Sequence, residues 1–129
     1  MPTAPRLRFT RSMRLTHALE YQRAYDAQVR KHAGPLVVFA YPAKNPHARL
    51  GLAVSRRVGN AVKRNRIKRR IREAFRLSHA ELPPLDIVVR VRPHETLSVD
   101  EYQGWITGAA SRLSRRLEPA PASAPADDA

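Results

Sequence analysis

"RLGLAVSRRVGNAVKRNRIKRRIREAFR" runs from Arg49 to Arg76, and its two halves follow different periods. Over 49–55, Leu50, Leu52 and Val54 point one way, and Arg49, Gly51, Ala53 and Ser55 the other. That alternation predicts a half-buried strand. After Gly59 the period lengthens. At about 100° per residue, Ile67, Ile71, Ala74 and Phe75 gather on one side of a helix and can dock on a sheet. Asn65, Arg69, Arg72 and Arg76 line up opposite, with Arg66 and Lys68 on the two flanks and Arg64 nearer the apolar arc. A strand feeding an amphipathic helix sets the middle of an α+β domain.

The polar face of that helix carries almost one sign of charge. Glu73 is the only acid between Arg56 and Arg76, among ten basic residues. Solvated helix faces usually mix Glu with Lys, because opposite charges four apart stabilise and like charges destabilise. A row of one sign therefore calls for an external polyanion. Phosphates spaced along a strand answer it, since each guanidinium offers paired donors. Asn65 within the row can bond an RNA 2′-hydroxyl, a base edge or a metal-bound water.

Composition narrows the rest. The chain has 129 residues, room for one domain with one core. Its net charge is +13, which points to nucleic acid ahead of an anionic membrane surface. A membrane-surface helix needs bulky apolar residues along a full face. Residues 60–76 offer only Ile67, Ile71, Ala74 and Phe75, which the sheet needs, so no membrane partner is expected. There is no cysteine, which excludes disulfides, thiolate zinc sites and a cysteine nucleophile. The opening "MPTAPRLRFTRSMRL" lacks the apolar run of a secretion signal, and a cytoplasmic protein is expected.

Working outward, residues 1–12 read as a flexible basic arm, 13–117 as the folded domain, and the Pro/Ala-rich 118–129 as a disordered tail. Thr16 is placed to cap a first helix, "HALEYQRAYDAQVRK", with Ala18, Tyr21, Tyr25 and Gln28 on one face. Gly34-Pro35 breaks that pattern. "LVVFAY" (36–41) predicts a strand, expected to pair antiparallel with 49–55. "DIVVRVR" (86–92) predicts another, with Ile87, Val89 and Val91 on one side. Ser98 and Glu101 form a capping box for a last helix, whose stripe is Tyr102, Ile106, Ala109, Leu113 and Leu117. The predicted order is helix, two strands, helix, strand, helix.

No protein-borne catalysis is expected. The five histidines show no metal-ligand spacing, the acids no two-metal pattern, and the serines no adjacent base. Catalytic and metal sites are both predicted to be none.

The segment from Gly51 to Arg76 resembles the signature of the bacterial ribonuclease P protein subunit. The resemblance rests on a strand, a turn of small and basic residues, and a helix opening with Arg64, Asn65 and Arg66, then Lys68, Arg69 and Arg72. "ELPPLDIVVRVRP" supports it, and the likeness extends over about residues 11–117. It implies a small α/β sandwich with a left-handed crossover between parallel strands, against the usual hand. It also implies a partner, the catalytic ribonuclease P RNA, with which the protein removes the 5′ leader of precursor tRNA. The RNA would hold the catalytic Mg2+, with no cofactor in the protein and a monomer when free. By the same resemblance, Arg64, Asn65, Arg66, Lys68, Arg69 and Arg72 face RNA; from their charge, Arg56, Arg57 and Lys63 are expected beside them, with Arg8, Arg11 and Arg14 of the arm as further contacts. Tyr21, Tyr25 and Phe39 would line the leader cleft, where the family often has Phe at the first two. Helical spacing alone makes these three core aromatics. Arg70 stands where an apolar residue is common and either widens the RNA surface or changes nothing. The alternative function is a structural RNA-binding protein of ribosomal type, which shares the charge but needs no leader cleft.

Overall fold

The computed structural model describes residues 11–43 and 46–117. The predicted tail and most of the predicted arm lie outside them. Chain order places a 3-10 turn at Arg11–Met13, then α1 (Ala18–Ala27), β1 (Arg30–Ala33), β2 (Leu36–Pro42), β3 (Arg49–Val54), α2 (Ala61–Ser78), β4 (Leu85–Val91) and α3 (Val99–Leu117). The 3-10 turn at Arg11–Met13 spans the expected junction between arm and domain.

Two strands are buried on both faces. Leu36 to Ala40 of β2 and Leu85 to Val89 of β4 are buried without a break. Such runs belong in the centre of a sheet, whereas an alternating strand with half-exposed residues belongs at its edge. The observed order is β1-β2-β4-β3. This overturns the expected pairing of 36–41 with 49–55: β4 lies between them, antiparallel to β2 and parallel to β3. β3, α2 and β4 form a crossover between neighbouring parallel strands.

The first helix is shorter than predicted. His17, not Thr16, is its N-cap, and the Glu20 carboxylate accepts from the N–H groups of both. The helix ends at Ala27, where Gln28 turns left-handed at φ 56°. Residues 30–33 then form β1, a basic edge strand absent from the predicted order, which pairs with β2 through the two-residue Gly34-Pro35 turn. Gly34 has φ +60°, the conformation glycine adopts at little cost in such hairpins. The demand of β2 for a partner on its second side outweighs helix propensity at Arg30 and Lys31, an override local periodicity does not register.

Helices cover both faces. α2 and α3 pack on Leu36, Val38, Ala40, Leu50, Ile87 and Val89 through Ile67, Ile71, Phe75, Tyr102, Ile106 and Leu113. α1 covers the other face, where Ala24, Tyr21 and Tyr25 meet Val37, Phe39 and Val88. Ala24 is the buried residue of α1; Ala18 and Gln28 of the expected face are exposed. The Ser98–Glu101 capping box forms as expected, with each residue's side chain accepting from the other's backbone N–H.

One buried polar atom in the core is unsatisfied. Ser78 Oγ, at the end of α2, is fully buried and has no hydrogen-bond partner among the described residues. An unpaired buried hydroxyl costs about 1–3 kcal/mol. Ser78→Ala is therefore expected to stabilise the protein by ~1 kcal/mol, read as a raised urea midpoint with an unchanged slope.

Three carboxylates link folding to acid. Burial pushes Glu20 upward, but the His17 and Thr16 N–H groups and Arg49 leave it below the ordinary value of 4.5. The Arg76 hydrogen bond lowers Glu73, and the Ser98 N–H and hydroxyl lower Glu101. Each binds its proton more weakly folded than unfolded. Their stabilisation is complete above the ordinary carboxylate value and is lost as pH falls through the lower folded values. Urea midpoints are expected to drop between about pH 5 and pH 3; a rise over that interval would contradict this assignment.

Candidate nucleic-acid interface

The β3 edge is where the two helical layers meet. Arg14 forms a parallel bridge with Leu50, and the Leu15 N–H donates to the Leu50 carbonyl at 3.0 Å. Two residues along the same edge, the Leu52 N–H donates to the Tyr21 hydroxyl at 3.2 Å. The Tyr21 ring lies over Gly51, where an added Cβ would come within 2.7 Å of it. Glycine in this strand is required by that close approach.

From the opposite face, α2 brings Lys68 and Arg72 over this edge. With Arg14 they surround Tyr21 in a groove of about 200 Å³ that no acid lines. Burial, and then the neighbouring Arg14 charge, push the Arg72 guanidinium below its ordinary value, against a smaller pull from Tyr21. The groove therefore holds the Arg72 guanidinium at an electrostatic cost, and an anion entering it relieves that cost.

A second aromatic group sits further along α1. The Tyr25 and Phe39 rings meet edge to face at 4.9 Å. The Arg90 guanidinium lies 5.1 Å from the Tyr25 centroid and 5.3 Å from that of Phe39. Phe39 is only 3% exposed, so it is a core ring under a cationic rim, whereas Tyr25 is half-buried. Arg90 also borders, with Arg57 and Arg92, a depression of about 620 Å³ at the C-terminal ends of β3 and β4. Ligands of open α/β sheets commonly sit beyond such strand ends.

α2 starts at Asn60, whose side chain accepts from the Lys63 N–H at 2.8 Å. Its first turn has no acid, yet Lys63 and Arg64 stand there at the positive end of the helix dipole. That placement disfavours the free protein and suits a bound phosphate. Asn65, Arg66 and Arg69 are exposed. Three other basic residues of α2 have structural partners. Arg64 Nε donates to the Gly59 carbonyl at 3.1 Å, and Arg76 pairs with Glu73. Arg70 Nη1 donates to the Leu97 carbonyl at 2.9 Å, so this residue anchors the connection into α3. Among the described residues, no group of three or more His, Asp or Glu is placed to hold a metal ion. No helix there is long and apolar enough to cross a membrane.

The family model for ribonuclease P matches residues 9–114. The chain belongs to the ribonuclease P protein family. Over 89 residues it is 44% identical to the ribonuclease P protein component of Methylococcus capsulatus, covering 68% of this chain and 70% of that one. Over 120 residues it is 36% identical to the component from Desulfovibrio desulfuricans, covering 91% and 92%. Among solved structures, the Staphylococcus aureus RNase P protein superposes with a TM-score of 0.68 at 29% identity, over 82% of this chain and 98% of that one. The Thermotoga maritima RNase P protein does so at 0.57 and 26% identity, over 90% and 100%.

Within this family fold the predicted RNA-facing residues divide. Lys68 and Arg72 join Tyr21 in the edge groove. Asn65, Arg66 and Arg69 form an outer ridge, and Arg56 and Arg57 lie exposed in the turn before α2. Tyr25 and Phe39 are together, but their shared neighbour is Arg90, a residue sequence reasoning passed over. Its signal was present: Arg90 interrupts an apolar strand on the face opposite Ile87, Val89 and Val91. The alternation of β3 places Gly51 on one face but carries no sign of the Tyr21 ring over it. Arg8 and the Arg11 side chain lie outside the described residues.

Proposed function

We propose that this chain is the protein subunit of a ribonuclease P, binding a catalytic RNA and the 5′ leader of precursor tRNA. The carrying observation is the acid-free groove where Arg14, Lys68 and Arg72 surround Tyr21. In this reading hydrolysis belongs to the RNA, with Mg2+ held there and no catalytic side chain in the protein. The outer ridge of Asn65, Arg66 and Arg69 neutralises RNA phosphates, so that two polyanions approach each other. Tyr21 and Tyr25 take bases of an extended single strand, whose recognition relies more on stacking than on sequence. The protein acts in the cytoplasm and as a monomer when free. With about five phosphates engaged, log K should fall against log salt with a slope near −3.5.

Precursor-tRNA cleavage at low magnesium, with a bacterial ribonuclease P RNA, tests the reading. A large gain that requires both RNA and protein is expected. Cleavage by the protein alone would overturn the division of labour. Tight RNA binding without any gain would favour a structural RNA-binding role instead. In the Tyr21→Ala/Tyr25→Ala variant, precursor tRNA should bind at least tenfold more weakly, at about 1–3 kcal/mol per lost stack. Mature tRNA binding by the same preparation should barely change, which also reports that the variant is folded.

A further inference from the structure

The sheet has a second edge, and it too carries an aromatic ring among cations. Trp105 of α3 is 42% exposed, unusually open for the chain's one tryptophan. Part of its indole rests on the Gly34 turn, where an added Cβ would lie 2.6 Å from the ring. The remainder faces a groove of about 340 Å³ between α3 and β1, bordered by Lys31, His32, Gly104, Gly108 and Arg112. No acid lines it. Glu101, one turn before Trp105, is turned back to Ser98. Neither Lys31 nor Arg112 has an ion pair among the described residues.

The helix floor of this groove is bare. A Cβ at Gly104 or Gly108 would meet nothing within 4 Å. Neither glycine serves internal packing, yet each weakens α3 relative to alanine. The groove is held firmly, since the Arg116 guanidinium, lower on the same helix, donates to the Arg30 carbonyl of β1 at 3.0 Å. An open indole beside uncovered backbone accepts a flat ring, and two unpaired cations accept its phosphate.

We propose that the Trp105 groove binds an unpaired nucleotide of the ribonuclease P RNA, its base on the indole and its phosphate between Lys31 and Arg112. An RNA occupant fits the acid-free cationic rim, which a basic or apolar protein partner does not. The RNA subunit, not the leader, fits the location. Trp105 lies at the β1 edge on the layer of α2 and α3, while Tyr21, on α1, lies at the β3 edge on the opposite layer. A strand held at Tyr21 must round the molecule to arrive here, whereas a large folded RNA spans both edges. The assignment of the RNA rests on the function proposed above; the nucleotide site itself does not.

Trp105 supplies its own readout, because no other tryptophan contributes emission. At low salt, a short oligoadenylate is expected to quench it saturably. Lys31→Ala/Arg112→Ala should raise the apparent Kd about tenfold. Gly108→Leu, which fills the floor with a good helix former, should abolish quenching without unfolding the protein. Tyr21→Ala/Tyr25→Ala should leave it intact. Absence of quenching overturns the site, whether or not labelled oligonucleotide binds elsewhere. So does quenching that survives both groove variants or disappears with the tyrosines. Ribonuclease P RNA alone should quench at a lower concentration than precursor tRNA alone; the reverse overturns the assignment to the RNA subunit. The cleavage assay is independent of this signal, so failure of either reading is separately visible.

Discussion

Lys68→Ala/Arg72→Ala is expected to weaken RNA binding at least a hundredfold while leaving the folded protein as stable as its parent, or more so. Both side chains line the Tyr21 groove, where no carboxylate offsets them. A hydrogen bond to a charged group is worth about 1.5–3 kcal/mol, so two lost phosphate contacts remove ~3 kcal/mol, more than two decades of affinity. The salt slope should become shallower by about 1.4, the share of two single-strand phosphates. Stability should move the other way, because burial and Arg14 already disfavour the Arg72 charge in the free protein. Removing it relieves repulsion. A variant that lost stability and affinity together would show that these cations hold the fold, and a full-strength binder would show that RNA passes elsewhere.

Arg49→Met should instead damage the fold. The Arg49 guanidinium donates through Nε and Nη2 to the two Asp86 oxygens, both at 2.9 Å, and pairs with Glu20 at 2.9 Å. The three residues come from β3, β4 and α1, so one side chain ties the first helix to both parallel strands. Asp86 is 4% exposed. Removing its partner strands a buried carboxylate, at a cost of about 3 kcal/mol, the low end for such pairs because the rim of this triad is still wet. At this chain length the melting temperature should fall by roughly 10 °C or more. Arg49→Met/Asp86→Leu should recover most of the loss, since replacing both charges by apolar groups is often near neutral. If the single variant melts like the parent, the triad is too well solvated to matter.

Most of the basic helix was legible before any coordinates. Ile67, Ile71, Ala74 and Phe75 are buried where the 3.6-residue period put them, and Asn65, Arg66 and Arg69 are exposed. The row loses its last member, because Glu73 pairs with Arg76, and Arg70, outside the row, goes to the Leu97 carbonyl. Those partners are set by where α3 begins and by rotamers, neither of which a helical wheel contains. The strand order was legible in principle. The apolar runs Leu36 to Ala40 of β2 and Ile87 to Val89 of β4 mark central strands, and the alternation of β3 marks an edge, yet adjacency along the chain suggested a simple hairpin.

By itself the sequence determined what local period and local chemistry control: two of the three helices nearly to their ends, the faces of β3 and β4, the Ser98–Glu101 cap, the one-sided charge of α2 and, through its signature, the family. Tertiary structure alone decided which strands neighbour each other, that residues 30–33 leave the helix for the sheet, that Phe39 goes inside while Tyr25 stays half out, and that Arg14, Tyr21, Lys68 and Arg72 form one groove. The physical reason is range. A side chain's direction follows from the dihedrals of its own few residues. Its neighbours follow from which apolar faces close on each other, and that free energy depends on the whole chain at once.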